Sequence, residues 1–365
     1  MGGLLGGRLW SRDPARRIQE WYQKKQLERG PRVVAIGGGT GLPVVLRGLK
    51  RYTANLTAVV TVADDGGSSG RLRGELGILP PGDIRNCLVA LADTEPLMES
   101  LFQHRFSRGA GLSGHSFGNL FIAAMTEVMG DFEAAIMESS RVLKVRGTVV
   151  PSTLDNVVLE AELVDGRVVS GESEIARQAR ETAIARVRLN PPEPKALPAA
   201  VRAIEAAELV VLGPGSLFTS IVPNLLVPGI RRALARVAGR GVPVALVVNV
   251  MTQPGETTGF GALEHVETIN ELTGGAIRWV VVNSERIPPE LRRKYHEDGA
   301  EVVAAPPGLL ERRGLRVARA RLLDTDLLGR EGLVRHDPDR LALAVLRLIG
   351  YVPSGGTGRK ALRRP

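Results

Sequence analysis

The chain has 365 residues, 44% hydrophobic but only 4% aromatic, with a single cysteine (Cys87) and a formal net charge of +9. One cysteine excludes a disulfide framework and a cysteine-based zinc site, and the five histidines have no metal-ligand spacing. The basic excess gathers in residues 8–32 and 359–364, aromatics are too sparse for base-stacking platforms, and no apolar run approaches the ~20 residues of a membrane span. Neither nucleic acid nor a membrane span is expected, and the thiol-poor composition suits the cytoplasm.

Residues 1–31 read as a basic N-terminal extension, in which 11–29 carry the pattern of an amphipathic helix bearing Trp21 and Tyr22. The extreme start is too short and glycine-rich for a signal segment. Residues 32–352 read as one domain. A buried strand at 33–36 runs into glycines and is followed by a helix at 43–49; a second strand spans 56–63 and ends at Asp64-Asp65. Apolar spacing predicts helices at 81–92, 95–106, 117–128 and 132–143. From 147 to 170 apolar and polar residues alternate around Asp165-Gly166, the mark of a hairpin-type insertion covering about 147–190 and ending in the proline-rich stretch at 190–194. Strands return at 209–212, 244–248 and 279–282, each followed by a loop and a helix. The recurring strand-loop-helix order predicts an α/β fold, a doubly wound Rossmann-like parallel sheet with a small β-hairpin insertion. Residues 353–365 read as a disordered basic tail.

In such a sheet ligands sit beyond the carboxyl ends of the strands. Four distinctive loops fall there: Gly37-Gly38-Gly39-Thr40-Gly41, Asp64 to Gly70, Gly213-Pro214-Gly215-Ser216, and Asn249 to Gln253, which includes Thr252. In the first loop, glycines permit close approach of an anion, the following helix offers free amides, and Thr40 adds a hydroxyl. Leu42 stands where a dinucleotide fingerprint needs its third glycine, and no Gly-Lys-Ser/Thr follows, which excludes a Walker A loop. Asp64 and Asp65 are candidates for ribose contact, for turn capping, or, Asp64 first, for holding Mg²⁺ against phosphate oxygens. Asp83 sits near a helix N-terminus, with Arg85 and Asn86 within reach of a ligand on that side. No Gly-x-Ser-x-Gly elbow is present.

These segments, with Gly114-His-Ser-Phe-Gly-Asn119 and the continuation of the last loop to Glu256, resemble in order the YvcK-type gluconeogenesis factors, within the 2-phospho-L-lactate transferase (CofD-like) superfamily. The likeness runs from about residue 32 to 352. It implies a role in bacterial cell shape during gluconeogenic growth and binding of a nucleotide sugar of the UDP-N-acetylglucosamine kind. A protein of cell-wall synthesis is an expected partner, and a homo-oligomer the expected assembly. Carried over by position, ligand contacts come from Gly38, Gly39, Thr40, Gly41, Asp64, Asn119, Gly215, Ser216 and Asn249, with Tyr295 and Arg335 as further candidates. The transferase branch uses a divalent metal held by aspartates. Three readings follow: a non-catalytic nucleotide-sugar sensor, a metal-dependent transferase, and a nicotinamide-dependent oxidoreductase.

Overall fold

A computed structural model describes residues 21–22, 24–93 and 96–352. The N-terminal extension therefore lies largely outside the described residues, although 21–22 and 24–28 are helical; the predicted tail 353–365 lies outside them altogether. Trp21 and Tyr22 pack edge to face and are exposed.

The described strands are β1 (Val33–Gly37), β2 (Leu56–Val60), β3 (Thr148–Pro151), β4 (Val158–Leu163), β5 (Val168–Ser170), β6 (Ile184–Asn190), β7 (Leu209–Leu212), β8 (Val244–Val247), β9 (Trp279–Asn283) and β10 (Arg316–Ala320). Seven of them form one sheet in the order β10-β9-β8-β7-β1-β2-β3, and every pairing in it is parallel. The chain leaves β1 toward β2 and β3, then returns to the far side of β1 as β7 and proceeds outward to β10. The reversal in strand order thus falls between β1 and β7, where Ile36 pairs in register with Leu212.

Sequence explains this arrangement directly. All five residues of β1 and all four of β7 and β8 are buried. Successive side chains in a strand face opposite ways, so unbroken burial means that both faces of the sheet are covered. Val, Leu, Ile and Ala fill the core, as the low aromatic content requires; the main aromatic contribution is Phe102, fully buried and edge-on to Phe117 and Phe121 at 5.6 and 5.0 Å. The helix after the glycine loop, Leu42–Leu49, packs against the late helix Pro338–Leu346, and a Cβ on Gly48 would collide with the Pro338 carbonyl oxygen. Nearby, the Tyr351 hydroxyl donates to the Tyr52 carbonyl at 3.3 Å.

Several elements differ from the sequence reading. Thr148–Pro151 is not part of the insertion: it pairs in parallel with β2 as an edge strand of the main sheet, with Val149 and Val150 buried. The insertion that follows is larger than a hairpin, a three-stranded antiparallel sheet in the order β5-β4-β6 with a helix at Glu172–Gln178. β10 was not expected at all, because its sequence Arg-Val-Ala-Arg-Ala, on the far edge of the sheet, lacks the apolar run of the central strands. The strand predicted to reach residue 63 ends at Val60.

Candidate ligand-binding site

The loops after β1, β7 and β8 meet at the reversal in strand order and line a cavity of about 740 Å³. That volume suits a ligand of nucleotide size. Gly41 is pressed against the loop after β7: a Cβ there would meet the Pro214 carbonyl group and lie 2.9 Å from the Gly215 Cα. Only a glycine permits these two loops to close on one another. Asn249 fastens the second loop to the third. Its Oδ1 accepts the Gly215 amide at 3.0 Å, and its Nδ2 donates to the Gly215 carbonyl at 2.8 Å. Gln253 Nε2 donates to Ser216 Oγ at 2.6 Å. Deeper in, Asn224 Nδ2 donates to the carbonyls of Gly37 and Ser220, which holds the end of β1 in place.

The segments after β9 and β10 supply more of the lining. Tyr295, on the helix Pro289–Glu297, accepts the Val334 amide on its hydroxyl at 3.0 Å and so fixes the backbone beside Arg335. Thr252 is buried and paired both ways with Glu301, its amide donating at 2.7 Å and its hydroxyl accepting at 2.8 Å. His336, buried on the same wall, has no partner for Nε2, and burial lowers its pKa to about 4. It is therefore neutral at physiological pH.

Of the residues singled out from sequence, Gly39, Thr40, Gly41, Gly215, Ser216, Asn249, Thr252, Tyr295 and Arg335 all line this cavity. Gly38, Asp64, Asp65, Asn86 and Asn119 do not; they belong to a second polar cluster behind the glycine loop. Its centre is Asp83, buried, whose Oδ2 accepts the Gly39 amide at 2.8 Å and would lie 2.5 Å from a Cβ on Gly38. Burial first, and the charge of Asp64 second, raise the Asp83 pKa to about 7. Arg85, also buried, donates through Nη1 to Ser116 Oγ and, at 3.0 Å, to Asn119 Oδ1, and through Nη2 to Asn86 Oδ1 at 2.7 Å. Its Nε has no partner. Asn119 also reaches Ser69 Oγ, and Ser68 Oγ pairs with His115 Nδ1 at 2.9 Å. Asp64 Oδ1 accepts the Gly66 amide at 2.8 Å, whereas Asp65 points at the insertion and accepts the Ser173 amide at 2.9 Å. Glu172, from the insertion, brings a further carboxyl toward Asp83 and Asp64; burial raises its pKa well above the ordinary value, and Oε2 has no partner.

Among the described residues no group of three or more His, Cys, Asp or Glu side chains is arranged to hold a metal ion. The carboxyls of Asp64, Asp83 and Glu172 approach one another without converging on a protein-only cage. Mg²⁺ coordinated through Asp64 would need ligand phosphate oxygens to complete its shell. Sequence reasoning missed the contacts of Asp83 with Gly39, 44 positions away, and of Gln253 with Ser216, and it missed Glu172, Arg180 and His336 altogether. Glu172, Arg180 and His336 lie far in sequence from the loops they approach.

Fold and site together define a doubly wound α/β protein whose cavity opens at the reversal in strand order, under a glycine loop and flanked by a buried polar cluster. A family model described as 2-phospho-L-lactate transferase CofD matches residues 33–323, and the chain belongs to that family. It is 49% identical to the gluconeogenesis factor of Bacillus subtilis over 320 residues, covering 87% of this chain and 98% of that one. It is 47% identical to the gluconeogenesis factor of Halalkalibacterium halodurans over 315 residues, covering 86% and 95%. A crystal structure of a Bacillus halodurans protein described as a member of the UPF0052 family superposes with a TM-score of 0.81 at 44% identity, covering 87% of this chain and 99% of that one. Among the described residues no helix is long and apolar enough to cross a membrane.

Proposed function

We propose that the protein is a non-catalytic binder of a nucleotide sugar of the UDP-N-acetylglucosamine kind, acting in the cytoplasm to regulate cell shape and wall synthesis during gluconeogenic growth. The observation that carries this reading is the composition of the cavity wall. Gly39, Gly41 and Gly215, the hydroxyl residues Thr40 and Ser216, and Tyr295 with Arg335 line it together. The Gly39 and Gly215 amides are engaged by Asp83 and Asn249, so the glycines serve by letting a diphosphate approach the backbone closely. The Gly41 amide and the hydroxyls are its donors, and an aromatic ring beside a guanidinium suits a base and its ribose. The hydroxyl of Ser216 is engaged by Gln253, and no hydroxyl lining the cavity is hydrogen-bonded to a general base among the described residues.

A metal-dependent transferase is the second reading, and the polar cluster of Asp64, Asp83, Arg85, Asn119 and Glu172 behind the glycine loop is what favours it. Positioning and a metal suffice for some transfers without a nucleophile. Asp64 is not among the residues lining the cavity, which deprives the nicotinamide reading of its ribose carboxylate.

Calorimetric titration with UDP-N-acetylglucosamine, with and without Mg²⁺, followed by mass spectrometry of the incubated ligand with phospholactate-type or flavin-like acceptors, separates the two readings. Saturable binding with the ligand recovered intact is expected. Consumption of the ligand that disappears in the Asp64→Asn protein would establish the transferase instead.

A further inference from the structure

We propose that Arg180, carried by the β insertion, is a phosphate-binding residue of the cavity, so that the insertion serves as the cationic clamp for a ligand seated on the glycine loop. This rests on the nucleotide reading above and names a residue that none of the sequence motifs contains.

The insertion is tied to two of the ligand loops. At the start of its helix Glu172–Gln178, the Ser173 amide donates to Asp65 of the loop after β2 at 2.9 Å. At the other end, Ala179 and Arg180 lie against Gly255, in the segment after β8. Gly255 has φ +88°, and a Cβ on it would collide with the Ala179 carbonyl and lie 2.6 Å from the Arg180 nitrogen. Glycine there is what lets the insertion dock. Docking in this way sets Arg180 on the cavity wall with Gly39, Thr40, Gly41, Gly215 and Ser216.

Charge makes the position informative. The other arginines of the insertion are all engaged: Arg167 with Asp165, Arg177 with Glu174, Arg186 with Glu162 and Arg188 with Glu160. Arg180 is the exception and forms no ion pair among the described residues. Among the described residues, the cationic side chains lining the cavity are Arg180 and Arg335, and the anionic ones are Glu297 and Asp298. Behind the glycine loop, Asp83 already occupies the Gly39 amide. A phosphate approaching that loop meets one fewer free donor and a buried carboxyl beyond it, so a guanidinium is the group that offsets the repulsion. A fork of N–H donors also matches phosphate oxygens in shape. Arg335 comes from a different part of the chain, the segment that follows β10.

The test is calorimetric titration of the full chain with UDP and with UMP, comparing wild type, Arg180→Gln and Arg180→Lys. Because Arg180 is exposed, the variants should keep the wild-type melting temperature. Arg180→Gln should weaken UDP binding by about 10- to 100-fold, the range of a lost charge-assisted hydrogen bond, and weaken UMP less; Arg180→Lys should recover part of the loss. Wild-type affinity for UDP in Arg180→Gln overturns the inference and leaves the nucleotide reading standing. Wild-type protein that binds neither UDP nor UMP sinks the nucleotide reading, and the clamp with it.

Discussion

Asp83 offers the most discriminating test of the site's electrostatics. Its carboxyl is buried, accepts the Gly39 amide, and has its pKa raised from 3.8 to about 7, chiefly by burial and then by Asp64. Between those two values the folded protein holds a proton that the unfolded chain has released. Stability therefore falls as pH rises through that window, and the loss is complete above it. At about 1.4 kcal/mol per pH unit, ionised Asp83 costs the fold up to about 4 kcal/mol. Asp83→Asn removes the titration but keeps an oxygen to accept the Gly39 amide. Urea unfolding of wild type and variant from about pH 4 to about pH 8 is the assay. The difference between them should be near zero at the acid end and should grow to as much as about 4 kcal/mol in favour of the variant at the alkaline end. The difference, and not the wild-type curve, is the readout. His336, neutral in the fold with a pKa of about 4, pulls wild-type stability the other way as pH falls below its ordinary value of 6.5. A difference that stays flat, or an asparagine variant less stable than wild type at the alkaline end, would refute the reasoning.

Gly41→Val should drive the first and second loops apart at the Pro214 carbonyl, costing about 1–3 kcal/mol of stability and at least about tenfold in UDP affinity; urea melts and calorimetry read the two effects, and an unchanged affinity would show that the loops need not close. Tyr295→Phe leaves the Val334 amide without its acceptor, so a stability loss of about 1 kcal/mol is expected together with weaker ligand binding as Arg335 loosens. If neither quantity moves, the tyrosine hydroxyl is not what braces that wall.

The central strands were legible in sequence because burial on both faces demands an unbroken apolar run, and β7 appears with the predicted limits of 209–212. Edge strands obey a weaker rule. β3 is short enough to pass for the start of a hairpin, and β10, with two arginines, gives no strand signal. The loops were legible because glycine, proline and aspartate mark chain reversals wherever they cluster. What those residues touch was not. Asp65, open in sequence between ligand contact and capping, accepts an amide in the first turn of the distant insertion helix, and Asp83, read as a charge at a helix end, is also the partner of Gly39. Both contacts join segments far apart in the chain, and a local pattern carries no record of them. The same holds for Arg180, whose place on the cavity wall depends on how Gly255 receives the insertion.

The packing of Leu42–Leu49 on Pro338–Leu346 has a consequence for how the protein comes into being. The helix that leaves the glycine loop and the helix that covers it are far apart in the chain, with β2 to β10 all synthesised between them. Contacts of such long sequence separation form slowly, and a nascent domain cannot complete them while their second half is still in the exit tunnel. Until then Leu42, Val45, Leu46 and Leu49, all buried in the finished fold, lack the partner that closes over Gly48. Every glycine of the cavity precedes residue 338 in the chain, so all the loops of the site can be present while the helix behind the first of them is still uncovered.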